Sequence, residues 1–336
     1  MLVENKVGIT VLIPVYNGSL FLEETIKSLL KQTYHNFEII FVNDSSTDNS
    51  LDILERYAAL DDRIKVLTKP NGGTASKAIN FGLVYARGEY FMYSSQDDLF
   101  SEDLLEKNFI QAKKFSADAV VPVLSYFYGG DTSIVIATAS RNDSETINGR
   151  EAFVASLDWQ IHGFVLWKIE IVKKIGFFEF GLNSDEYTTR MFYFHSETVV
   201  FSTGVFFYRQ NNPNAITQKW SLNLLDILQT GIELRKFALE NGFGSSEINK
   251  IHRNMFYDLV RIKLILLANK HRMTLIDYRD ANWKISSTFQ TNLIYFKTIQ
   301  PNNLIEVLKL NIMLKNIHFF NMYCTTISIL KNKFKH

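Results

Sequence analysis

Residues 9–44 read ITVLIPVYNGSLFLEETIKSLLKQTYHNFEIIFVND, and the order of apolar and polar positions in this stretch decides the fold class. Ile9–Pro14 is a short apolar run of the kind a buried strand needs, closed by Pro14 and the turn-prone Asn17-Gly18-Ser19. A helix follows over Leu20–Lys31, because Leu22, Ile26, Leu29 and Leu30 fall on one stripe. Glu23 and Glu24 lie early in it and Lys27 and Lys31 late, as the helix dipole favours. Phe37–Val42 is apolar again and makes a second strand. Strand, helix and strand at this spacing form a βαβ unit with parallel strands.

The alternation continues outward. Ser46 or Asp48 can cap a helix to about Ala59, carried by Leu51, Leu54 and Ala58. Ile64–Leu67 is a third strand, stopped by Pro70-Asn71-Gly72-Gly73. Lys77–Ala86 is helical by the spacing of Ile79, Leu83 and Ala86. Tyr90–Tyr93 is a fourth strand, Asp103–Phe115 a helix and Ala119–Val123 a fifth strand. The pattern predicts an α/β architecture, a Rossmann-like, mostly parallel sheet flanked by helices. From about 125 to 220 it is mixed, with loops around Gly129-Gly130 and Arg141–Asn148. After Trp220 the strand signal stops. Leu222–Asn241, Glu247–Lys270 and much of Asn302–Lys333 read as helices of a C-terminal region spanning 221–336.

A chain of 336 residues, 46% apolar and 21% charged, can bury a sizeable core. Its net charge of +1 gives no argument for nucleic acid. The single cysteine, Cys324, excludes an internal disulfide and fits a reducing, cytoplasmic compartment. No signal-peptide pattern opens the sequence, and no apolar run approaches the roughly 18 residues of a spanning helix. Charge is uneven, however: residues 251–336 carry 13 Lys or Arg against 4 Asp or Glu.

Parallel sheets bind ligands at the carboxyl ends of their strands, so polar residues just after strands are the candidates. These are Asn43-Asp44 after the second strand and Ser95-Gln96-Asp97-Asp98 after the fourth. Adjacent carboxylates repel unless a cation neutralises them, and Mg²⁺ or Mn²⁺ prefers such oxygen ligands while leaving positions for diphosphate. The plain alternative is a helix cap, Asp97 or Asp98 with Ser101 before Asp103. Asp44 can accept hydrogen bonds from a base or ribose, or can belong to a turn. Neither GxGxxG after the first strand nor GxxxxGK[ST] is present, which removes the dinucleotide and P-loop classes.

Several stretches in register are recognisable: Thr10–Asn17 (TVLIPVYN), Gln32-Thr33-Tyr34, Phe37–Asp48 (FEIIFVNDSSTD), Asn71–Leu83 (NGGTASKAINFGL), Gly88-Glu89-Tyr90 and Gln96-Asp97-Asp98. Their order and spacing resemble glycosyltransferase family 2, a family of the GT-A fold. Trp167-Lys168, Ser184-Asp185-Glu186-Tyr187 and Tyr208-Arg209 through Ile216-Thr217 resemble the acceptor half of its capsule and lipopolysaccharide members. The resemblance covers residues 8–220, with 1–125 as nucleotide-binding half and 126–220 as acceptor half. It implies that Pro14, Tyr16, Asn17 and Asp44 surround the nucleoside of a nucleotide-sugar donor, assisted by Lys77, Gln96 and Arg209. It implies that Asp97 and Asp98 hold a divalent metal, Mg²⁺ or Mn²⁺, with the donor diphosphate. It implies that Asp185 or Glu186 is the base of an inverting transfer to a glycan or lipid-linked acceptor. The chain departs from the family pattern at Asn43 and Ser95, where acids are common, and at Ile79, where arginine is common and Lys77 stands nearby.

The basic C-terminal region, ending in Lys331-Asn332-Lys333-Phe334-Lys335, suits peripheral contact with the inner face of a membrane, or else a solvated helical face. Two other classes compete. A sugar nucleotidyltransferase needs a Gly-rich basic loop after the first strand, where Val15–Leu20 offers only Gly18. A catalytically silent sugar-nucleotide or glycan-binding module is suggested by Asn43 and Ser95. His162 and His195 read as structural, and Trp159, Trp167 and Trp220 as core residues that could otherwise stack on a sugar.

Overall fold

The computed structural model describes residues 7–129, 131–138, 142–214 and 220–333. The expectations placed on Gly130, Arg141, Ile216-Thr217, Phe334 and Lys335 lie outside the described residues. The chain divides into two compact units, residues 1–179 with 184–212, and residues 180–183 with 213–336.

The first unit is built on one ten-stranded sheet. Its opening half alternates β1 (Ile9–Val15), α1 (Leu22–Leu30), β2 (Phe37–Asn43), α2 (Ser50–Ala58), β3 (Ile64–Thr68), α3 (Ala75–Leu83) and β4 (Tyr90–Tyr93). β3, β2, β1 and β4 lie side by side and all parallel, as the sequence pattern predicts. All seven residues of β2 are buried, which explains why it reads as an unbroken apolar run. Alternate side chains feed two cores. Val11, Ile13, Ile39 and Phe41 pack with Leu22, Ile26, Leu29 and Leu54 on one face. Leu12, Ile40, Val42 and Phe91 pack with Ala78, Ile79 and Leu83 on the other.

The later strands turn the sheet mixed. β5 (Leu99–Phe100), α4 (Leu104–Phe115), β6 (Ala119–Tyr128), β7 (Asp131–Thr138), β8 (Thr146–Ile147), α5 (Gly149–Leu157), β9 (Leu166–Lys168), α6 (Ile169–Ile175), α7 (Ser184–Phe194) and β10 (Val199–Arg209) complete it. β9 runs antiparallel between β4 and β6, and β10 pairs parallel with β6. The fifth strand is twice its expected length, because Tyr126, Phe127 and Tyr128 continue pairing where the aromatic run blurs the alternation.

Helix boundaries moved where side chains chose other partners. α2 begins at Ser50 with no side-chain cap; Ser46 bonds the Asn17 amide, and Asp48 takes Ser50 N and Ser19 N instead. α3 begins two residues early because Thr74 accepts the Lys77 amide. Asp97 and Asp98 cap nothing: the residue before α4 is Asp103, without a side-chain capping bond.

Among its described residues the second unit has no strand, and its helices are α8 (Asp226–Glu240), α9 (Ser245–Asn269), α10 (Leu275–Phe296), α11 (Leu304–Met313) and α12 (Ile317–Lys333). Its core centres on the rings of Phe256, Phe289, Phe296 and Phe320. The sequence pattern does not mark α10. Its buried stripe of Ala281, Ile285, Phe289 and Phe296 is masked in sequence by Ile276, Trp283 and Ile294 on exposed positions.

Candidate active site

The carboxyl ends of β1, β2 and β4 are stitched into one rim. The Asp44 amide donates to Val15 O at 2.8 Å, and the Ser94 amide to Leu12 O at 3.2 Å. The Gln96 amide side chain spans β4 to β1: Tyr16 N donates to its Oε1 at 2.8 Å, and its Nε2 donates to Tyr16 O at 3.0 Å. Asn17, left-handed with φ 49°, accepts from Thr47 N and Oγ1 through Oδ1. The Gly18 amide donates to Ser50 Oγ at 2.9 Å. A Cβ at Gly18 would meet the Gln96 carboxamide at 2.4 Å, so a larger residue there would push that clamp aside.

These contacts sort the expected donor residues. Gln96 and Asn17 hold loops together. The Tyr16 ring is exposed and Pro14 half-buried, so both are open to a ligand. Asp44 is buried, and its carboxylate accepts from Lys69 Nζ at 2.7 Å and from Gly72 N at 2.9 Å. Lys69 carried no sequence signal, since a lysine before Pro70 reads as solvated. Lys77 lies half-buried in the first turn of α3 with no ion pair among the described residues. Ile79, where the family pattern often has arginine, is core. Asn43 accepts the Ser46 amide, which is a turn-forming role.

Asp97 and Asp98 differ in partners and burial. Asp98 is fully buried; its Oδ1 accepts the Arg209 amide at 3.0 Å, and its Oδ2 is buried without a hydrogen-bond partner among the described residues. Asp97 is half-buried and accepts from Asn212 Nδ2 at 2.6 Å. Burial raises the Asp97 carboxyl above its usual range. It raises that of Asp98 far more, with the charge of Asp97 adding to the effect. Arg209 is buried and committed. Its Nε donates to Asp97 O at 2.7 Å, its Nη2 to Glu24 Oε2 at 2.6 Å, and it lies between the rings of Phe21 and Phe127. Arg209, expected at the donor, also braces the acid loop through its Nε and Nη2 and is flanked by two rings.

Asp185 and Glu186 occupy the first turn of α7. Ser184, just before them, meets Ser76 of α3 at 3.1 Å between hydroxyls, which brings the two helix starts together. Glu186 is engaged: Arg190 Nη1 donates to its Oε2 at 2.5 Å. Asp185 has no ion pair among the described residues. Burial, and then the charge of Glu186, push its carboxyl up to about 7. Tyr208 links the acid pairs. Burial raises its phenol strongly, and Asp98, Asp97, Glu186 and Asp185 all act on it in the same direction. Tyr208 and Asn212 lie in a stretch that carries the family resemblance, but the sequence assigns no role to them or to Tyr93, since aromatics and asparagines are too common to carry a signal.

Other candidates resolve as structural. His162 is buried against Pro122 O at 2.9 Å and lowered to about 4, so it stays neutral. His195, just past α7, bonds Met191 O of that helix. Trp167 is core, while Trp159 is exposed. A hollow of about 490 Å³ lined by Ser19, Glu23, Asn49, Asp52, Ile53 and Arg56 lies on α1 and α2; none of the four acids lines it.

Residues 10–178 match the sequence model of the family described as glycosyl transferase family 2. The chain is similar to the glycosyltransferase GlyG of Streptococcus pneumoniae, 30% identical over 234 residues, covering 64% of this chain and 75% of that protein. It is similar to glycosyltransferase GlyA of the same organism, 28% identical over 247 residues, and spans only 35% of that relative's length. GlyA is matched over 70% of this chain. Among solved structures, S. aureus TarS 1–349 in complex with UDP-GlcNAc superimposes with a TM-score of 0.58 at 16% identity, over 87% of this chain and 82% of that one. The mannosyltransferase PcManGT from Pyrobaculum calidifontis, in complex with GDP-Man and Mn²⁺, gives 0.53 at 15% identity, over 97% and 87%. At such identities the likeness establishes the fold, the GT-A arrangement.

Proposed function

The chain belongs to glycosyl transferase family 2, and on that premise we propose that it transfers a sugar from a UDP-linked donor to a hydroxyl of a glycan or lipid-linked acceptor, with inversion. The observation that carries the reading is the Asp97-Asp98 pair on the loop that Gln96 ties to the end of β1, inside the stretch that matches the family; the charges of both acid pairs also raise the Tyr208 phenol. On this reading a base and a cation-binding acid pair, about 90 residues apart in the chain, serve one region. Support for the donor comes from the neighbour holding UDP-GlcNAc, although another holds GDP-Man.

Asp185 acts as the base. An acceptor hydroxyl gives its proton to the Asp185 carboxylate while the oxygen's electron pair forms a bond to the anomeric carbon. The bond from that carbon to the diphosphate oxygen breaks, and its electron pair leaves with the nucleoside diphosphate. Attack from the face opposite the leaving group inverts the centre. Glu186, bound to Arg190, holds the first turn of α7 and keeps the Asp185 proton affinity high.

The acid pair fits a hard divalent cation. Its donors are oxygens, both carboxyls are raised by burial, and Asp98 Oδ2 is a buried acceptor left over. Asp97, the more open of the two, would hold the ion. Among the described residues no three acids, histidines or cysteines gather, which leaves other ligand positions for diphosphate and water. The ion would supply Lewis-acid stabilisation of the leaving diphosphate. Lys77 stands at the start of α3 as a further cation for it.

A peripheral position at the inner face of a membrane is supported by α11. Glu306 ties α11 down through Arg253 and Tyr257, while Leu304, Ile305, Leu308 and Ile312 form one outward stripe beside Lys309 and Lys315. Residues 307–336 contain five lysines and no acid, which suits an anionic lipid surface. No helix among the described residues is long and apolar enough to cross a membrane.

The test is thermal stabilisation over a panel of nucleotides and nucleotide sugars with and without Mn²⁺, followed by donor turnover. UDP with metal should stabilise most. Stabilisation without turnover of any donor would favour a silent binding module and overturn the enzyme assignment.

A further inference from the structure

Trp159 stands where the fold favours a small residue. α5 ends in a Schellman arrangement: the Trp159 amide donates to Ser156 O at 3.4 Å, and the Gln160 amide to Ala155 O at 3.0 Å. The residue after the cap is left-handed, and here it is Trp159 with φ 61°. Glycine is usual at that place, and a bulky side chain is strained there. Burial does little to offset the strain, since Trp159 is 53% exposed.

The indole is nevertheless held in position. The Arg190 guanidinium lies over the ring, 5.4 Å from its centroid. The same guanidinium is buried, donating to Ser156 O at 3.0 Å and to Glu186 Oε2 at 2.5 Å. A chain of contacts thus runs from the exposed ring through Arg190 to Glu186, the neighbour of Asp185. A strained, solvent-facing aromatic held through Arg190 to Glu186, the residue next to the proposed base, matches what a ligand platform requires.

We infer that the exposed part of the Trp159 indole is a stacking platform for a sugar ring of the acceptor, so that the acceptor terminus is a pyranoside. The flat π surface takes the C–H face of such a ring, and an open-chain polyol has no such face to offer. The assignment of that ring to the acceptor rests on the proposed transfer reaction.

The experiment is saturation-transfer NMR on the full chain with UDP, using methyl glycosides of glucose, galactose, N-acetylglucosamine and N-acetylgalactosamine, with sorbitol as the ring-free probe. The wild type should saturate ring protons of at least one glycoside and not sorbitol. Trp159→Gly should weaken that binding by about tenfold or more, and Trp159→Phe should keep most of it. Trp159→Gly should melt no more than about 2 °C below the wild type, because glycine relaxes the left-handed position. Equal signals in wild type and Trp159→Gly, no glycoside signal in the wild type, or melting lowered by more than about 5 °C would each overturn the platform. Failure of UDP to bind would remove the transferase reading, and the glycoside signal would still decide for or against Trp159.

Discussion

Gln96 grips Tyr16 by both of its backbone groups, accepting from the amide at 2.8 Å and donating to the carbonyl at 3.0 Å. The residue just before the acid pair is thereby tied to the end of the neighbouring strand. The loop that bears Asp97 cannot move without moving the aromatic ring at the rim. Gln96→Ala should cost about 1–2 kcal/mol of stability and weaken UDP binding by roughly tenfold, read by denaturant melts and calorimetric titration. Unchanged UDP affinity would show that the clamp is structural alone.

The two aspartates should separate cleanly. Asp97→Ala is expected to abolish the Mn²⁺-dependent part of UDP stabilisation while leaving the protein folded. Asp98→Ala removes the acceptor of the Arg209 amide from a sealed site and should cost about 2–3 kcal/mol with or without metal. Thermal scans with Mn²⁺ and with chelator distinguish the two. Equal metal response in wild type and Asp97→Ala would sink the metal assignment.

Asp185 predicts the pH profile. Its carboxyl must be ionised to accept a proton, so kcat/KM should rise with pH and level off above about 7. Asp185→Asn should lower kcat by about a thousandfold while sparing UDP affinity. Stability follows the opposite sign. A carboxyl raised from its ordinary 3.8 to about 7 favours folding most at low pH, and that contribution fades as pH climbs through this window. Asp185→Asn should flatten that slope in melts between pH 4 and 8.

Glu186→Gln should behave differently, because it leaves the buried Arg190 with less charge compensation. A loss of about 1–3 kcal/mol is expected, with a smaller fall in kcat than Asp185→Asn gives. A larger loss of kcat for Glu186→Gln would reverse the assignment of the base.

The stripe on α11 predicts binding to vesicles. Wild type should float with phosphatidylglycerol vesicles and much less with neutral ones, and Leu308→Glu should abolish it. Each of Lys309→Gln and Lys315→Gln should weaken binding by about fivefold. A concentration-dependent dimer that Leu308→Glu disrupts would assign the face to a second copy instead.

The parallel half of the sheet was legible in residues 9–93 because each buried strand there is a short apolar run bounded by turn residues, a pattern local enough to survive without tertiary contacts. The same locality marked Asp44, Asp97 and Asp98 as strand-end acids, and the motifs around them pointed to the family. What each acid does was decided in three dimensions. Asp98 is sealed because Arg209, more than a hundred residues later in the chain, places its amide against it; Asp185 rather than Glu186 is left without an ion pair because one helical turn later Arg190 is buried and needs a partner. Hydrogen bonds of this kind depend on which elements the fold brings together, and no spacing in the sequence records that.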